Sequence, residues 1–262
     1  MRTISKTLDD KRKHDRDFVG ALEKGLAVIE AFDTAVPQLT LTAAARKTGL
    51  TRAAARRYLL TLVALGYAET DGKIFRLMPR VLRLGYAYLS TASLPKLAQP
   101  ILDRIGERVR EVVSLATLDG TEVVFLARSA SRRVLSATTS VGMRLPAYCT
   151  AMGRIMLAGL SDAEAERLLA SMPLKRLTPR TRIDMGDLMA EIAAARTNGY
   201  AVSDEELEMG LRSIAVPVTN AQGQVMLAMS VSLQAAHMTV EEMEEKILPE
   251  LNAARPAISS ML

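Results

Sequence analysis

The stretch that decides the fold of this 262-residue chain is residues 40–77, TLTAAARKTGLTRAAARRYLLTLVALGYAETDGKIFRL. Thr40 can cap a short helix that ends at Gly49, and Thr51 can cap a longer one, because a threonine hydroxyl accepts a hydrogen bond from the free amides at a helix start. Only Leu50 separates Gly49 from Thr51. Two helices joined by so tight a turn predict a helix-turn-helix, whose second helix enters the major groove of DNA.

The second of these helices has an apolar face and a basic face. Side chains at i, i+4, i+7 and i+8 are predicted to pack inward: Ala55, Leu59, Leu62 and Val63. Arg52, Arg56 and Arg57 concentrate positive charge in the first half of the helix, where a recognition helix meets DNA. Thr51 and the free amides behind it suit a phosphate, and Tyr58 completes the candidate DNA-binding set on this helix. The alternative is a solvated arginine cluster.

A hairpin is predicted directly after this helix. Asp71-Gly72 is a two-residue turn signal between short β-compatible segments. A hairpin in this position is a wing, which places Lys73 and Arg76 to touch phosphate or the minor groove. The hairpin could instead serve only to close a small core, and both roles are compatible.

The residues upstream predict a tail and one further helix. Residues 1–17 are charged and nearly devoid of large apolar side chains, which is typical of a disordered segment. Apolar side chains then recur at helical spacing as far as Pro37 and predict an amphipathic helix: Phe18, Leu22, Leu26, Ile29 and Phe32.

Charge is distributed unevenly along the chain. Residues 1–80 contain 15 Lys and Arg against 9 Asp and Glu, whereas the rest contains 19 against 20. A basic module joined to a neutral one is the arrangement expected when only one end meets a polyanion. A basic arm that merely aids solubility would give the same count.

Composition argues for a cytoplasmic protein with no cofactor or metal. No apolar run approaches the ~20 residues needed to cross a bilayer, and the charged start lacks the apolar centre of a signal peptide. A single cysteine, Cys149, permits no intrachain disulfide. Two histidines are too few for an ordinary zinc site or catalytic triad. Neither a phosphate loop nor a dinucleotide glycine motif is present, so we do not expect an enzyme.

Three blocks resemble the IclR family of bacterial regulators: LTRAAARRYLLTLVALGYAETDG, VGMRLPAYCTAMGRIMLAGL and GYAVSDEELEMGLRSIAVPV. They occur in family order and span nearly the whole chain from Phe18. The strings TRAAARRYLLTL, PRVLRLGYAYLS and RLPAYCTAMGR are most similar to the branch that governs aromatic-acid catabolism through the β-ketoadipate pathway. The resemblance implies a double-stranded DNA operator, a small-molecule effector, and a homodimer or a dimer of dimers.

The expected fold is mixed. A winged helix-turn-helix over residues 18–78 is followed by a linker helix over 79–91 and an effector-binding domain over 92–262. Pro95 and Pro100 are expected to break the chain before the next helix. Strands, including one at 133–140, alternate with helices beyond that point and indicate an α+β domain, which the resemblance implies is GAF-like. Residues 79–91 could equally form a core helix of one domain.

A carboxylic-acid effector is predicted near Thr150, which can cap a helix whose first amides, at Ala151 and Met152, would hold a carboxylate. Tyr148 could stack on an aromatic ring, and Arg128 or Arg144 could pair with the acid. Each could instead be structural. The resemblance implies that the effector also lies against later positions: Ser203 or Asp204, Ser213, Ser230 and Ser232. Ser203 stands where many relatives carry an acid, and Ser213 where some carry a cysteine.

Three classes of protein remain open at this point. A ligand-responsive regulator leads, with 4-hydroxybenzoate or protocatechuate as the expected effector and a dicarboxylic pathway intermediate as the runner-up. A regulator of another small-acid pathway belongs to the same class. The second class is an enzyme with an attached DNA-binding domain, and the third is an architectural DNA binder with a vestigial sensor.

Overall fold

The computed structural model describes residues 17–32, 36–91, 93–129 and 140–262. The chain forms two compact units that divide between Tyr88 and Leu89. Two predicted segments lie outside the described residues: the tail at 1–17, apart from Asp17, and the strand at 133–140, apart from Ser140.

The first unit contains the predicted helix-turn-helix. Its elements are α1 (Gly20–Glu30), β1 (Gln38–Thr40), α2 (Leu41–Thr48), α3 (Arg52–Ala64), β2 (Ala68–Thr70) and β3 (Ile74–Leu77). The Thr40 hydroxyl accepts a hydrogen bond from the Ala43 amide at 3.2 Å, and the Thr51 hydroxyl accepts one from the Ala54 amide at 3.2 Å. Gly49 has a φ of 69°, a left-handed conformation that glycine adopts without steric cost. Both caps and the turn are therefore confirmed.

The apolar face of α3 is confirmed, and α1 forms as predicted, but only part of its apolar stripe faces the core. Ala55, Leu59 and Leu62 are buried in the core of the unit. Phe18, which precedes α1, and Leu22 and Leu26 on it are 39%, 62% and 44% exposed. Ile29 and Phe32 pack against the core of the unit, beside the buried Val28 and Ala31. Helical spacing identifies an apolar stripe but does not identify what covers it.

The wing is a three-stranded antiparallel sheet in the order β1-β3-β2, and β1 was not expected. The loop between β2 and β3 has three residues, Asp71, Gly72 and Lys73, instead of two. The Asp71 carboxylate accepts hydrogen bonds from the amides of Lys73 and Ile74 at 2.9 and 2.8 Å, and Gly72 has a φ of 95°. The aspartate thus closes the turn with its side chain.

Residues 79–91 are helical, with a 3-10 turn at Pro79–Val81 followed by α4 at Leu82–Thr91. The expectation that two prolines break the chain here is wrong, because Pro95 and Pro100 both lie inside α5, Ser93–Val109. Pro95 is in the first turn, where a missing amide costs no hydrogen bond. Pro100 removes one bond, and the helix is held by buried side chains on either side of it: Ala98, Leu102 and Ile105.

The second unit is built on a six-stranded sheet in the order β6-β5-β4-β9-β8-β7, in which every neighbouring pair is antiparallel. The strands are β4 (Val112–Asp119), β5 (Glu122–Arg128), β6 (Arg144–Pro146), β7 (Ala201–Asp204), β8 (Leu211–Thr219) and β9 (Val225–Gln234). The helices that follow α5 are α6 (Ala151–Ala158), α7 (Asp162–Ser171), α8 (Met185–Asn198), α9 (Val240–Lys246) and α10 (Leu248–Ser259).

Helices cover both faces of this sheet. Apolar side chains of α6, α7 and α8 pack on one face, and those of α5, α9 and α10 pack on the other. Because side chains alternate along a strand, each central strand supplies both cores; Ala215 belongs to the first and Ile214 to the second. This is the predicted α+β domain, and the GAF-like description stays a prediction. No described helix is long and apolar enough to cross a membrane.

Candidate functional site

The basic face of α3 lies on the surface of the first unit. Arg52, Arg56 and Arg57 are all exposed, and Tyr58 is half-buried. The sequence contains no Asp or Glu between Thr40 and Ala68, so this face carries no negative charge of its own. The arrangement suits a polyanion, because exposed guanidinium groups neutralise phosphates or pair with base edges.

A groove between α1 and α3 adds one cation that the sequence did not single out. Its lining includes Thr51, Arg57 and Tyr58 from the predicted set, together with Lys24 of α1. The groove therefore joins a lysine and an arginine to the positive end of α3, where unpaired amides favour an anion. Lys24 was missed because only the apolar residues of α1 were read for their spacing.

The two wing residues have different surroundings. Lys73 is exposed in the loop at the tip of the wing. Arg76 lies in the central strand β3, where its guanidinium is 3.9 Å from the Glu69 carboxylate and donates a hydrogen bond to the Gln38 side chain at 3.4 Å. Lys73 is thus the more accessible of the two cations.

A cavity of about 270 Å³ opens in the second unit, between the sheet, the start of α6 and the loop that precedes β8. Seven of the ten predicted effector residues line it: Arg128, Thr150, Ala151, Met152, Ser203, Ser213 and Ser232. The rest of the lining is Ser114, Phe125, Met143, Leu145, Leu207, Glu208 and Leu211. The walls of the cavity are mostly apolar, although they include Thr150 and the carboxylate-bearing Glu208, and its floor is polar.

The polar floor consists of two rows of side chains that are in register across the sheet. In one row, Ser203 of β7 pairs with Ser213 of β8, which pairs with Ser232 of β9. In the other, Ser230 of β9 pairs with Ser114 of β4, which pairs with Arg128 of β5. Residues two apart on one strand share a face, so both rows belong to the side of the sheet that carries α6.

The start of α6 forms one wall of the cavity. The Thr150 hydroxyl accepts a hydrogen bond from the Gly153 amide at 3.1 Å and donates one to the Pro146 carbonyl at 3.0 Å. The amides of Ala151 and Met152, in the first turn, have no acceptor within the helix. Both residues line the cavity, where the positive end of the helix favours a carboxylate.

Arg128 brings a full positive charge to the same cavity. It is half-buried, and burial lowers the pKa of its guanidinium below the ordinary value. An arginine stays protonated at neutral pH even so. Its fork of N–H donors can bind a carboxylate through two parallel hydrogen bonds.

Three of the predicted effector residues are not part of the cavity lining. Arg144 is exposed and forms ion pairs with Asp119 at 2.8 Å and Glu122 at 2.7 Å, and the hydrogen bond that it donates to Glu122 raises its pKa. Tyr148 is buried in the core, where its hydroxyl donates to the Lys175 carbonyl at 2.7 Å. Ser230 lies in the floor but is not part of the cavity lining.

A buried ion network, which the sequence did not predict, supports the cavity wall. Arg154 and Glu206 are both 1% exposed and are joined at 2.6 Å. Arg182 contacts the other Glu206 oxygen at 2.7 Å, and Glu191 lies 3.5 Å from Arg154 and 3.3 Å from Arg182. Because Glu206 immediately precedes Leu207 of the lining, the network holds that loop against α6.

Cys149 is buried, and burial raises the pKa of its thiol to about 12, with a smaller contribution from the Glu206 charge. Such a thiol is unreactive at neutral pH, since the thiolate is the nucleophile. Among the described residues, no group of three or more His, Cys, Asp or Glu is placed to hold a metal ion.

The two units correspond to two known families of domain. Residues 21–72 match the model of the IclR helix-turn-helix domain, and residues 86–260 match that of the bacterial transcriptional regulator IclR C-terminal domain. The chain belongs to the IclR family. As a member of that family it is a DNA-binding transcriptional regulator and not an enzyme.

Two curated IclR relatives have names that concern aromatic-acid catabolism. The chain is 47% identical over 241 residues to the Pca regulon regulatory protein of Pseudomonas putida, and the aligned region covers 92% of this chain and 83% of that protein. It is 40% identical over 240 residues to the p-hydroxybenzoate hydroxylase transcriptional activator of Acinetobacter baylyi, and the aligned region covers 90% of this chain and 89% of that protein.

Two solved structures of similar proteins contain hydroxybenzoates. An IclR homologue from Microbacterium hydrocarbonoxydans, complexed with 4-hydroxybenzoate, has a TM-score of 0.70 and 28% identity over 92% of this chain and 98% of its own. A double mutant of the PobR inducer-binding domain from Acinetobacter, complexed with 3-hydroxybenzoic acid, has a TM-score of 0.60 and 32% identity. That match covers 65% of this chain and 100% of the PobR domain.

Proposed function

We propose that this IclR-family regulator controls genes of aromatic-acid catabolism, such as those of the β-ketoadipate pathway, in response to a hydroxylated aromatic acid. 4-Hydroxybenzoate and protocatechuate are the leading effectors. The observation that carries the proposal is the cavity of about 270 Å³, in which an arginine, the positive end of α6 and a row of serines meet apolar walls. The names of the curated relatives support the pathway.

In this proposal the carboxylate lies between Arg128 and the amides of Ala151 and Met152, while Phe125 and Met152 flank the ring. A carboxylate in a half-buried site needs such donors, because an unpaired buried charge is strongly unfavourable. The floor serines can accept a hydrogen bond from the ring hydroxyl or donate one to it. Arg144 and Tyr148 are left out of the site, since neither lines the cavity.

Thermal stabilisation by aromatic acids tests this site. A ligand at a hundredfold excess over its Kd stabilises the folded protein by ~2.7 kcal/mol, so 4-hydroxybenzoate or protocatechuate should raise the unfolding temperature. Arg128→Met should abolish the rise. Arg144→Met is the matched control, because it removes an arginine of the same sheet that does not line the cavity. A rise with an uncharged ligand and none with any aromatic acid would refute the carboxylate site, whereas no rise with any ligand would favour the vestigial sensor.

The DNA-reading part of the proposal places the winged helix-turn-helix at residues 18–78, the linker helix at 79–91 and the effector-binding domain at 92–262. Arg52, Arg56 and Arg57 face the major groove, Thr51 and Tyr58 lie beside the phosphates, and the wing presents Lys73 and Arg76. Because the DNA of a bacterial cell lies in the cytoplasm, we place the regulator there. Alanine at Arg56 should weaken operator binding without lowering the unfolding temperature.

The first unit also supports a homodimer or a dimer of dimers. Phe18 and, on α1, Leu22 and Leu26 are exposed, and α4 exposes Leu82 and Tyr86 at 71% and 70%. Large apolar side chains that are exposed in one protomer are candidates for burial in an interface. Two-fold pairing would set half-sites about one helical turn of DNA apart, or a multiple of it. Footprinting of an isolated half-site bound by a monomer would contradict the pairing.

A further inference from the structure

One side of the cavity is formed by a short loop between β7 and β8, called here the wall loop (residues 205–210). Leu207 in this loop and Leu211 directly after it both line the cavity. The loop is closed at its base, because the Glu205 amide donates a hydrogen bond to the Leu211 carbonyl at 2.9 Å. The Glu205 carboxylate also accepts one from the Gly210 amide at 2.8 Å. The shape of this loop therefore decides where Leu207 meets a ligand.

The first residue of the wall loop has a strained backbone. Glu205 has a φ of 57°, in the left-handed region that residues other than glycine rarely adopt, because their Cβ then crowds a carbonyl oxygen. Such a conformation costs free energy and persists only where the surrounding contacts enforce it. The wall loop therefore depends on partners outside itself to keep its shape.

Two buried threonines in the segment between α7 and α8 are such partners. Thr178 and Thr181 are 6% and 1% exposed. The Thr178 hydroxyl donates a hydrogen bond to the Glu205 carbonyl at 2.7 Å, and the Thr181 hydroxyl donates one to the Glu206 carbonyl at 2.6 Å. The Thr181 hydroxyl also accepts a hydrogen bond from the Thr178 amide at 2.8 Å, which fixes the two threonines relative to each other. Two consecutive carbonyls at the start of the wall loop are therefore held by one segment.

The same segment also holds the side chain of Glu206. The Arg182 guanidinium lies 2.7 Å from one oxygen of the Glu206 carboxylate, and the Arg182 amide donates a hydrogen bond to the other oxygen at 3.3 Å. Arg154 of α6 contacts that second oxygen at 2.6 Å. Glu206 therefore joins the wall loop both to the threonine segment and to the helix whose start forms another wall of the cavity.

We infer that Thr178, Thr181 and Arg182, together called the clamp, are positioning residues for effector binding. None of the three lines the cavity, so they act through the wall loop. By enforcing the strained turn at Glu205, the clamp keeps Leu207 against the ring of the bound effector. The inference rests on the proposed function, in which an aromatic acid occupies this cavity. Because Leu207 contacts the ring and not its substituents, loss of the clamp should weaken different aromatic acids by a similar factor.

Calorimetry on the full-length protein, well below the unfolding temperature of each variant, tests the clamp with 4-hydroxybenzoate and protocatechuate as probes. Thr181→Val removes the hydroxyl, so the Kd of both acids should rise roughly 2- to 10-fold, the usual value of one neutral hydrogen bond. Thr181→Ser restores a hydroxyl and should return both Kd values to within about twofold of wild type. Thr197→Val is the matched control, because it removes a hydroxyl that donates to the Ala193 carbonyl at 3.0 Å on the exposed side of α8.

Arg182→Met is a second variant that keeps the inference testable if Thr181→Val does not fold. The Arg182 side chain is 41% exposed, and Glu206 keeps its contact with Arg154, so this variant should fold and should also weaken both acids. Amide hydrogen exchange measures the wall loop independently of binding. The amides of Glu205 and Gly210 are hydrogen-bonded within the loop and should exchange faster in both clamp variants than in wild type or Thr197→Val.

The Kd values separate positioning from a purely structural role. A purely structural role would lower the unfolding temperature of the clamp variants and leave the Kd of the folded protein unchanged. The inference is therefore refuted if the clamp variants that fold bind both acids within about twofold of wild type, or if Thr197→Val weakens the acids equally. The proposed function would survive that result, because wild type would still bind. Failure of wild type to bind either acid would overturn the proposed function and the clamp together.

Discussion

Adding one methyl group at Gly153 should displace the wall of the cavity. Gly153 lies in the first turn of α6, directly beneath the backbone of Ala147. A Cβ at this position would lie 2.0 Å from the Ala147 carbonyl oxygen and 2.4 Å from its Cα. Non-bonded atoms prefer separations of roughly 3.5–4.0 Å, so the helix or the loop must move by more than 1 Å.

Gly153→Ala has two opposing effects on the free energy of unfolding, and their magnitudes decide whether the protein becomes more or less stable. Alanine is favoured over glycine in a helix by ~1 kcal/mol. Overpacking costs ~1–3 kcal/mol when the neighbouring side chains can move aside. Because the added Cβ of Gly153→Ala would meet backbone atoms instead, we expect a cost at about the upper end of this range. The net loss is therefore about 2 kcal/mol, which for a domain of this size lowers the unfolding temperature by roughly 4–8 °C.

Scanning calorimetry of the full chain, with and without 4-hydroxybenzoate, measures this effect. Gly153→Ala should unfold earlier and bind the acid more weakly, since Ala151 and Met152 move with the helix. The control is Gly85→Ala in α4, where no described atom lies within 4 Å of the added Cβ, so stability should rise. An unfolding temperature within about 1 °C of wild type for Gly153→Ala would refute the close approach on which the reasoning depends.

Three further predictions concern charge. Arg154→Met should destabilise the second unit by ~3–5 kcal/mol in urea unfolding, because Glu206 stays buried without its closest partner; a loss below about 1 kcal/mol would contradict this. Arg57→Ala should reduce the slope of log K against log salt for operator binding by ~0.9 if the guanidinium contacts a phosphate, and fluorescence anisotropy at several salt concentrations measures it. The raised pKa of Cys149 means that the folded state holds the thiol proton more tightly than the unfolded state does. Its contribution to stability is complete below pH 9 and is lost as the pH rises towards about 12, and Cys149→Ala should flatten this part of the stability profile.

Sequence signals that lie within a few residues of each other predicted the helix starts correctly. The caps at Thr40, Thr51 and Thr150 depend on a hydroxyl and an amide three residues later, so the sequence alone contains both partners. The exposed face of α1 could not be foreseen, because the same spacing of Leu22 and Leu26 serves a core or an interface.

The sequence predicted those residues of the candidate site that lie at the start of α6. It could not predict the residues that strand register brings into the site. Arg128 and Arg144 were equivalent candidates in the sequence. Register pairs Arg128 with Ser114 on the cavity face, whereas it brings Arg144 beside Glu122 at the sheet edge. Ser114 was missed because its partner in the floor, Ser230, lies more than a hundred residues further along the chain.

The two serine rows also bear on how such a sensor can diverge. A hydroxyl rotates, so each serine can present a donor or an acceptor to whatever lies above it. Apart from the edge strand β7, the strands beneath are bonded on both sides, so exchanging one of these small side chains for alanine or cysteine alters recognition and leaves the sheet in place. One or two substitutions in these rows can therefore change which acid the sensor prefers. The DNA-reading unit is built from a separate stretch of chain and need not change with it.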